Sequence, residues 1–327
     1  MDEALRDAVA SAYSLGPIRA CVRFDRVASS VARVETAEHV YWLKLNTRSV
    51  RDLDTLESEA EIATELAERG VQVARAVRRR DGRYAGELTL AEGIVPAFLF
   101  FESPGTEVEA PSLAQAEALG GLVARFHAVN ASAAARRWRI DGEALGKTPL
   151  RAAEAWLQRA GGDTARDITR RLAKLVDAMT EIAWPAGAPL PTGLCHGDLQ
   201  LENARFVDAS ATLFDLECCG TGPRAYDLAC YWRKRFGLAS ADSDRRAEWE
   251  ALLLGYEQTR PLTPSERRAI PALATLRAVW VMALPATPGT TWGQDWLLDP
   301  EYIDAHVAMI ERLASVAQRA MIRPTGG

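Results

Sequence analysis

Two carboxylates and one amide lie close together in this sequence, in an order that suits metal-assisted chemistry on a phosphate. His196, Asp198 and Asn203 form the string H-x-D-L-x-x-x-N. Asp215 follows two short apolar runs that flank a polar turn, which predicts a hairpin with Asp215 at the end of its second strand. An Asp that accepts a proton from a hydroxyl, beside an Asn and an Asp that hold a hard cation, is suited to phosphoryl transfer.

The same string matches the catalytic loop of protein kinases, and its surroundings resemble the aminoglycoside phosphotransferase superfamily. That superfamily includes choline kinases, the second type of homoserine kinase and bacterial stress-response kinases. The resemblance is carried by three segments, His196 to Asn203, Phe214 to Glu217 and Tyr226 to Ala229. Gly197 replaces the Arg usual in protein kinases, and Leu216-Glu217 replaces their Phe-Gly, as the superfamily shows.

The resemblance implies an enzyme that uses ATP and Mg²⁺ to move the γ-phosphoryl group to a hydroxyl. Asp198 would orient that hydroxyl and accept its proton. Asn203 and Asp215 would hold the metal ion, and Lys44 would hold the phosphates of the nucleotide. The expected partners are therefore a nucleotide and a small molecule that carries a hydroxyl.

The residue types before Lys44 predict that it lies on a β-strand. Three runs of β-branched and aromatic residues between Cys21 and Asn46 predict three strands. Val40, Trp42 and Lys44 are spaced two residues apart on the third run, so they share one face of the predicted strand. A rigid strand can therefore aim the Lys44 side chain into a cleft. A kinase needs such a cation and a carboxylate to hold it.

The helix predicted next offers several candidate carboxylates. Apolar residues recur at spacings of three and four from Leu53 to Leu66, with Glu57, Glu59, Glu61 and Glu65 among them. The resemblance selects Glu59 as the partner of Lys44, because it lies seven residues before Leu66. Glu61 remains the competitor.

The loop that would cover the phosphates contains no glycine between Phe24 and Val34, unlike its counterpart in protein kinases. The resemblance implies that Ser29 and Ser30 supply backbone and hydroxyl donors instead. The sequence leaves open which groups of this loop contact the phosphates.

A hinge for the adenine is predicted where the strand-rich part of the chain ends. The continuous apolar run IVPAFLFF predicts a strand buried on both faces, and a Pro-Gly turn signal follows it. Phe101 ends the run, and Glu102 and Ser103 lie between it and the turn. These three residues are predicted to offer backbone groups to the nucleotide base.

The fold class expected is α+β, with the two lobes of a protein-kinase-like fold. Residues 1–102 would form a nucleotide-binding lobe, with a mixed β-sheet and one main helix. Residues 103–327 would form a larger, mainly helical lobe for catalysis and acceptor binding. Within it, His127 and Asp227 are expected to be structural, His127 in the core and Asp227 as a brace of the catalytic loop.

Composition excludes several other classes of protein. The 327 residues carry a net charge of −5 with a pI near 5.6, which argues against nucleic acid as a partner. The N-terminal segment lacks the pattern of a signal peptide, and the apolar run from Leu273 to Ala286 is short and contains Arg277. Five cysteines, an odd number without a CxxC pair, favour a reducing cytoplasm.

The acceptor site is predicted near the C-terminal end, where tryptophans and acidic residues cluster. Trp280 lies on a predicted helix, and a Pro- and Gly-rich loop after it contains Trp292, Asp295 and Trp296. Carboxylates beside aromatic faces suit a cation, so these residues predict an acceptor that carries an amine. An uncharged sugar or natural-product hydroxyl is the alternative.

Two other functions are alternatives to small-molecule phosphorylation. One is a bacterial Ser/Thr protein kinase of the stress-response type, which the segment LRAVW also resembles. Only eleven residues separate Asp215 from Asp227, and no Ala-Pro-Glu follows, which leaves no room for a regulated activation loop. The other is a nucleotide-binding regulatory module without turnover, which the intact polar positions disfavour. The oligomeric state stays open.

Overall fold

The computed structural model describes residues 3–25, 30–46, 52–160, 163–187, 189–236, 243–286 and 300–322. Its strands are β1 Ala20–Asp25, β2 Ser30–Glu35, β3 Val40–Leu45, β4 Ala76–Val77, β5 Ala85–Leu90, β6 Gly93–Phe101, β7 Thr192–Cys195, β8 Ala204–Val207, β9 Ser210–Leu213 and β10 Gly220–Pro223. Its α-helices are α1 Glu3–Ala12, α2 Leu53–Glu68, α3 Leu113–Ala128, α4 Thr148–Ala160, α5 Asp163–Ala183, α6 Ala225–Phe236, α7 Ser243–Thr259, α8 Pro264–Ala283 and α9 Pro300–Ile322.

The first six strands form one sheet in the order β1-β2-β3-β6-β4, with β5 also paired to β6. The sequence predicted a mixed sheet, but all the pairings described are antiparallel. The reason is local: β1, β2 and β3 follow one another through short connections, which join strands as hairpins, whereas parallel neighbours need long crossovers. The three predicted strands are confirmed.

Helices cover both faces of this sheet. Leu5 and Val9 of α1 pack in one cluster with Leu99 of β6, and Leu56 of α2 packs in another with Phe98. Successive residues of β6 therefore enter opposite cores, as the unbroken apolar run predicted. The consequence is a rigid β3–β6 ladder that fixes Lys44 opposite Phe98.

The rest of the chain is mainly helical and begins at a capping box. The Ser112 side chain accepts from the backbone N–H of Gln115, whose own side chain accepts from the Ser112 N–H. Helices α3 and α7 then cross closely. A side chain at Gly120 would overlap the backbone of α7, and one at Gly255 would overlap the backbone of α3.

Two small antiparallel sheets carry the catalytic loop. Strand β7 pairs with β10, and β8 pairs with β9 as the predicted hairpin. The segment 196–203 therefore lies between two fixed strands, β7 before it and β8 after it. No helix among the described residues is long and apolar enough to cross a membrane.

Candidate active site

Lys44 is buried between carboxylates. Its side chain projects from β3, and only 6% of the residue is exposed. The Nζ atom lies 3.1 Å from Glu59 Oε1, 2.5 Å from Asp215 Oδ1 and 3.7 Å from Glu217 Oε2. Lys44 thus joins α2 to the segment that follows β9, and it can offer its charge to phosphates in the space between them.

The glutamates of α2 divide among different partners, which decides between Glu59 and Glu61. Glu59 is buried and bonds Lys44, whereas Glu61 is half exposed and pairs with Arg136. Glu57 accepts from the backbone of the Tyr84 region, and Glu65 accepts from Ser132. The structure places Glu59, not Glu61, at the predicted ion pair.

Asp198 is held by three side chains. Its Oδ2 accepts from Gln200 Nε2 at 3.0 Å and from Asn203 Nδ2 at 3.2 Å. Its Oδ1 accepts from Arg277 Nη2 at 2.6 Å. A carboxylate fixed in this way keeps one orientation toward the cleft that it lines, which is the geometry that a proton acceptor requires.

Asn203 also donates from Nδ2 to the backbone carbonyl of Asp198, at 2.9 Å. Both of these hydrogen bonds use the amide nitrogen, so the amide oxygen is not consumed by them. Asp215 lines the same cleft. Together they offer oxygen donors, the ligand type that a hard divalent cation prefers.

Asp215 has a strained backbone that its neighbours impose. Its φ of 63° and ψ of 64° are in the left-handed region, which is uncommon for a residue other than glycine. The preceding residue is held on both sides: Phe214 N donates to Asn203 O at 3.1 Å, and His196 Nε2 lies 3.0 Å from Phe214 O. His196 therefore links the catalytic loop to the strand end that presents Asp215.

Asp227 braces the catalytic loop from inside, as predicted. It is fully buried and accepts from the backbone N–H groups of His196 and Gly197, at 2.7 Å and 2.8 Å. Burial acts to raise the pKa of Asp227, but the hydrogen bond from His127 and the neighbouring donors outweigh it and lower the pKa. The brace therefore stays a carboxylate.

His127 completes this brace and is not at the cleft. Its Nε2 lies 2.8 Å from Asp227 Oδ2, and its Nδ1 lies 2.8 Å from Tyr256 Oη. Burial lowers the pKa of His127, so the imidazole is neutral and structural, as predicted.

Gly197 is required by the approach of two segments. Its φ is +84°, and a methyl group there would overlap the carbonyl oxygen of Cys218. The Arg that protein kinases carry at this position could not fit. Glycine thus allows the catalytic loop and the turn after Asp215 to lie against each other.

The four predicted catalytic residues line one cleft of about 470 Å³. Lys44, Asp198, Asn203 and Asp215 all contribute to its wall, with Phe100 and Ser103 at the hinge side. An anionic ligand with a planar group could place its phosphates at Lys44 and its planar part near Phe100.

The structure distinguishes the three predicted hinge residues by whether their polar groups are already hydrogen-bonded. Phe101 N donates to Arg75 O at 2.9 Å, and Glu102 N donates to Val40 O at 3.0 Å, so these two amides are already used by the sheet. The Ser103 hydroxyl is buried and has no hydrogen-bond partner among the described residues. Of the three predicted residues, Ser103 also lines the cleft.

The predicted phosphate loop and acceptor site lie partly outside the described residues. Ser30 opens β2, where its Oγ lies 3.4 Å from Arg23 Nη2, and Ser29 is outside the described residues. Trp292, Asp295 and Trp296 are also outside them. Trp280 is half-buried, with Arg277 4.1 Å above its ring, so that face is covered by a cation of the protein itself.

Sequence reasoning missed Arg277 as a residue of this site. It projects from α8, is 3% exposed, and contacts Asp198 and the Tyr226 hydroxyl. The sequence carried a signal, because an Arg inside the apolar run from Leu273 to Ala286 must be buried with a partner.

Comparison with known proteins gives the family. Residues 21–262 match the model of the phosphotransferase enzyme family. An uncharacterized protein of Deinococcus radiodurans is 31% identical over 274 residues, which cover 83% of this chain and 78% of the relative. A homoserine kinase of Brucella anthropi is 33% identical over 245 residues, which cover 72% of this chain and 67% of the relative.

A solved structure shows the same fold. Amicoumacin kinase hAmiN, in complex with AMP-PNP, Ca²⁺ and Ami, superposes with a TM-score of 0.71 at 15% identity, over 97% of this chain and 96% of that chain. The predicted kinase-like α+β fold is therefore confirmed. The family match confirms the prediction of an enzyme in place of a non-catalytic module. The family model spans most of the chain, from β1 to the residues that precede α8. The chain belongs to the phosphotransferase enzyme family, and it is an enzyme of phosphoryl transfer.

Proposed function

We propose that this enzyme transfers the γ-phosphoryl group of ATP, bound with Mg²⁺, to a hydroxyl of a small molecule. The observation that carries the proposal is the meeting of Lys44, Asp198, Asn203 and Asp215 in one cleft. These side chains come from two distant parts of the chain, β3 and the 198–215 segment, and a purely structural cluster would not need all four types. Each type has a distinct task in phosphoryl transfer.

The proposed roles follow from the contacts. Lys44, positioned by Glu59, holds the phosphates of the nucleotide. The Asn203 amide oxygen and the Asp215 carboxylate fit Mg²⁺, because both are oxygen donors on the cleft wall. When bound there, the ion would neutralise phosphate charge. Ser103 and the loop that contains Ser29 and Ser30 complete the nucleotide site.

Asp198 orients the acceptor hydroxyl and accepts its proton as the oxygen attacks the phosphorus. Its three hydrogen-bonded neighbours prevent the carboxylate from turning away. Proton acceptance by a positioned side chain contributes roughly 10²–10⁴-fold to a rate. The lobe boundary that we propose, between residues 102 and 103, separates the sheet that holds Lys44 from the part of the chain that holds Asp198.

A small acceptor is favoured over a protein. The homoserine kinase of Brucella anthropi and amicoumacin kinase are both named for small molecules. In this chain the path from Asp215 to Asp227 contains a short turn, then β10 and the start of α6, with no extended segment on which a peptide could lie. A protein acceptor is therefore the second candidate.

The test is an ADP-release screen with amino alcohols, hydroxy amino acids, sugars, aminoglycosides and a Ser/Thr protein. With the acceptor so found, Asp198→Asn should keep Mg²⁺-dependent ATP binding and lower kcat by about 10²-fold or more. Wild-type kcat in that variant, or the absence of ADP release with all classes of acceptor, would contradict the proposal.

A further inference from the structure

Three consecutive basic residues in the last turn of α6 differ in their environments. Lys234 lies 2.9 Å from a carboxylate oxygen of Glu202, and Arg235 lies 2.6 Å from one of Glu248. Arg233 is the most buried of the three, at 8% exposed, yet its buried Nε has no hydrogen-bond partner, and Arg233 makes no ion pair with a carboxylate among the described residues. A charged side chain is almost never buried in this way unless something pairs with it.

Arg233 is buried where the charge of the proposed proton acceptor, Asp198, acts on it. Helix α6 packs against α8, which carries Arg277, and Arg277 bonds Asp198 at 2.6 Å. Burial lowers the pKa of Arg233, and the positive charge of Arg277 adds to this effect, while the charge of Asp198 opposes it. Two guanidinium groups and one carboxylate thus act on one another here, which leaves an excess of one positive charge among these three described side chains.

The neighbours on α9 do not neutralise that excess. The ring centroids of Tyr302 and His306 lie 3.9 Å apart with the rings tilted by 39°, and His306 Nδ1 lies 2.8 Å from Tyr302 O. Burial raises the pKa of Tyr302 to about 12, against the nearby charge of Arg233, so the phenol is neutral. Burial also lowers the pKa of His306, which is therefore a neutral imidazole.

We propose that Arg233, with Arg277 beside it, binds a carboxylate of the acceptor, so that the acceptor is a hydroxy acid or hydroxy amino acid. A planar guanidinium binds a carboxylate through two parallel hydrogen bonds, and a bound carboxylate would cancel the unpaired charge. The acceptor hydroxyl would then lie at Asp198 while its acidic end lies at Arg233. The inference rests on the proposed function and names its substrate class.

Matched acceptors test this directly. The full chain is assayed with ATP and Mg²⁺ on L-homoserine against 3-aminopropanol, L-serine against ethanolamine, and L-threonine against 1-amino-2-propanol. The members of each pair differ by the carboxylate alone. In at least one pair the acid should have a kcat/KM at least about 100-fold higher, because a site built for a charged group rejects the analogue that lacks it. 4-Hydroxybutanoate then shows whether the amine is needed.

The variant Arg233→Met should reduce that preference to less than about fivefold, mainly through KM of the acid, and leave KM for ATP unchanged. It should also raise Tm of the ligand-free protein by about 2 °C or more, because an unpaired buried charge is removed. Arg268→Met is the matched control, since it removes an exposed charge from α8, and it should behave as wild type.

Several results would overturn the inference. The inference is overturned if amino alcohols are used as well as the acids or better. It is also overturned if Tm of Arg233→Met falls below that of the wild type. An equal loss of kcat for both members of a pair would show that Arg233 serves the transferred phosphoryl group instead. If ADP is released only with acceptors that lack a carboxylate, this inference fails and the proposed function stands. If no acceptor class supports ADP release, the proposed function itself fails.

Discussion

The choice between two glutamates two residues apart gives the sharpest test of the nucleotide site. Glu59→Gln keeps the shape of the side chain and one acceptor oxygen but removes its charge. Lys44 Nζ lies 3.1 Å from Glu59 Oε1, and both side chains are buried. A hydrogen bond between charged groups contributes about 1.5–3 kcal/mol. At about 1.4 kcal/mol for each factor of ten, its loss should lower kcat/KM for ATP by roughly 10- to 150-fold.

The direction of the defect also follows from the contacts. Without the charge of Glu59, Lys44 is drawn toward Asp215, whose Oδ1 already lies 2.5 Å from Nζ. Lys44 would then be displaced from the phosphates and would compete with a cation for the same carboxylate. We expect KM for ATP to rise, with a smaller change in KM for the acceptor, in initial-rate assays that vary each substrate in turn.

Glu61→Gln is the matched control, since the substitution is the same and lies on the same helix. Glu61 is half exposed and pairs with Arg136 at the surface. Such exposed pairs contribute about 0.2–1 kcal/mol, so the change in kcat/KM should stay below about fivefold. Equal defects in the two variants, or a larger one in Glu61→Gln, would refute the assignment of Glu59 to Lys44.

Two further predictions concern the metal and the brace. Asp215→Ala should weaken nucleotide binding in Mg²⁺ at least about tenfold more than in EDTA, because its proposed role is exerted through the ion; equal losses in calorimetric titrations would show a structural role. For His127, the folded pKa is depressed, so the unfolded chain gains a proton below about pH 6.5 that the folded protein does not. The free energy of unfolding should therefore fall as pH drops from 7 to 5, by up to about 1.4 kcal/mol per pH unit from this group. Urea titrations at several pH values should show that the free energy of unfolding of His127→Asn depends less steeply on pH than that of the wild type. An unchanged dependence on pH would contradict the burial argument.

The catalytic loop could be predicted because its chemistry fixes both residue types and spacing over a few residues. Asp198 and Asn203 are five residues apart, and a short turn brings the amide to the carboxylate whatever the rest of the fold does. Gly197 illustrates the limit. Its presence in the motif was visible, but the approach of Cys218 that requires it appears only in three dimensions.

The position of Glu59 was within reach of the sequence. Residues three and four apart lie on one face of a helix, so Glu59 shares a face with Leu56 and Ala63, which are buried. Glu61 is two residues further, about 200° around the axis, and must point away. The apolar spacing of α2 therefore contained the answer that the resemblance alone supplied.

Arg277 could not be paired with Asp198 from the sequence, because 79 residues separate them. Their contact depends on the packing of α6 and α8 and on the placement of β7, which no local pattern determines. The mixed sheet was wrong for a related reason. Strand positions were predictable from composition, but their directions depend on which strands become neighbours.

The contacts within the site also bear on the order in which ligands are recognised. In the protein alone, Lys44 and Asp215 form an ion pair with each other, so neither charge lies unpaired in the cleft. A nucleotide without a cation would have to separate that pair. The carboxylate of Asp215 would then face the phosphates of the nucleotide, and the like charges would repel each other. In the proposed function, a nucleotide that arrives with a divalent cation would give each partner a replacement, phosphate oxygens for Lys44 and the cation for Asp215. On the proposed roles, the pair would disfavour the metal-free nucleotide, and binding would be an exchange of ionic contacts in which the nucleotide and its cation are recognised together.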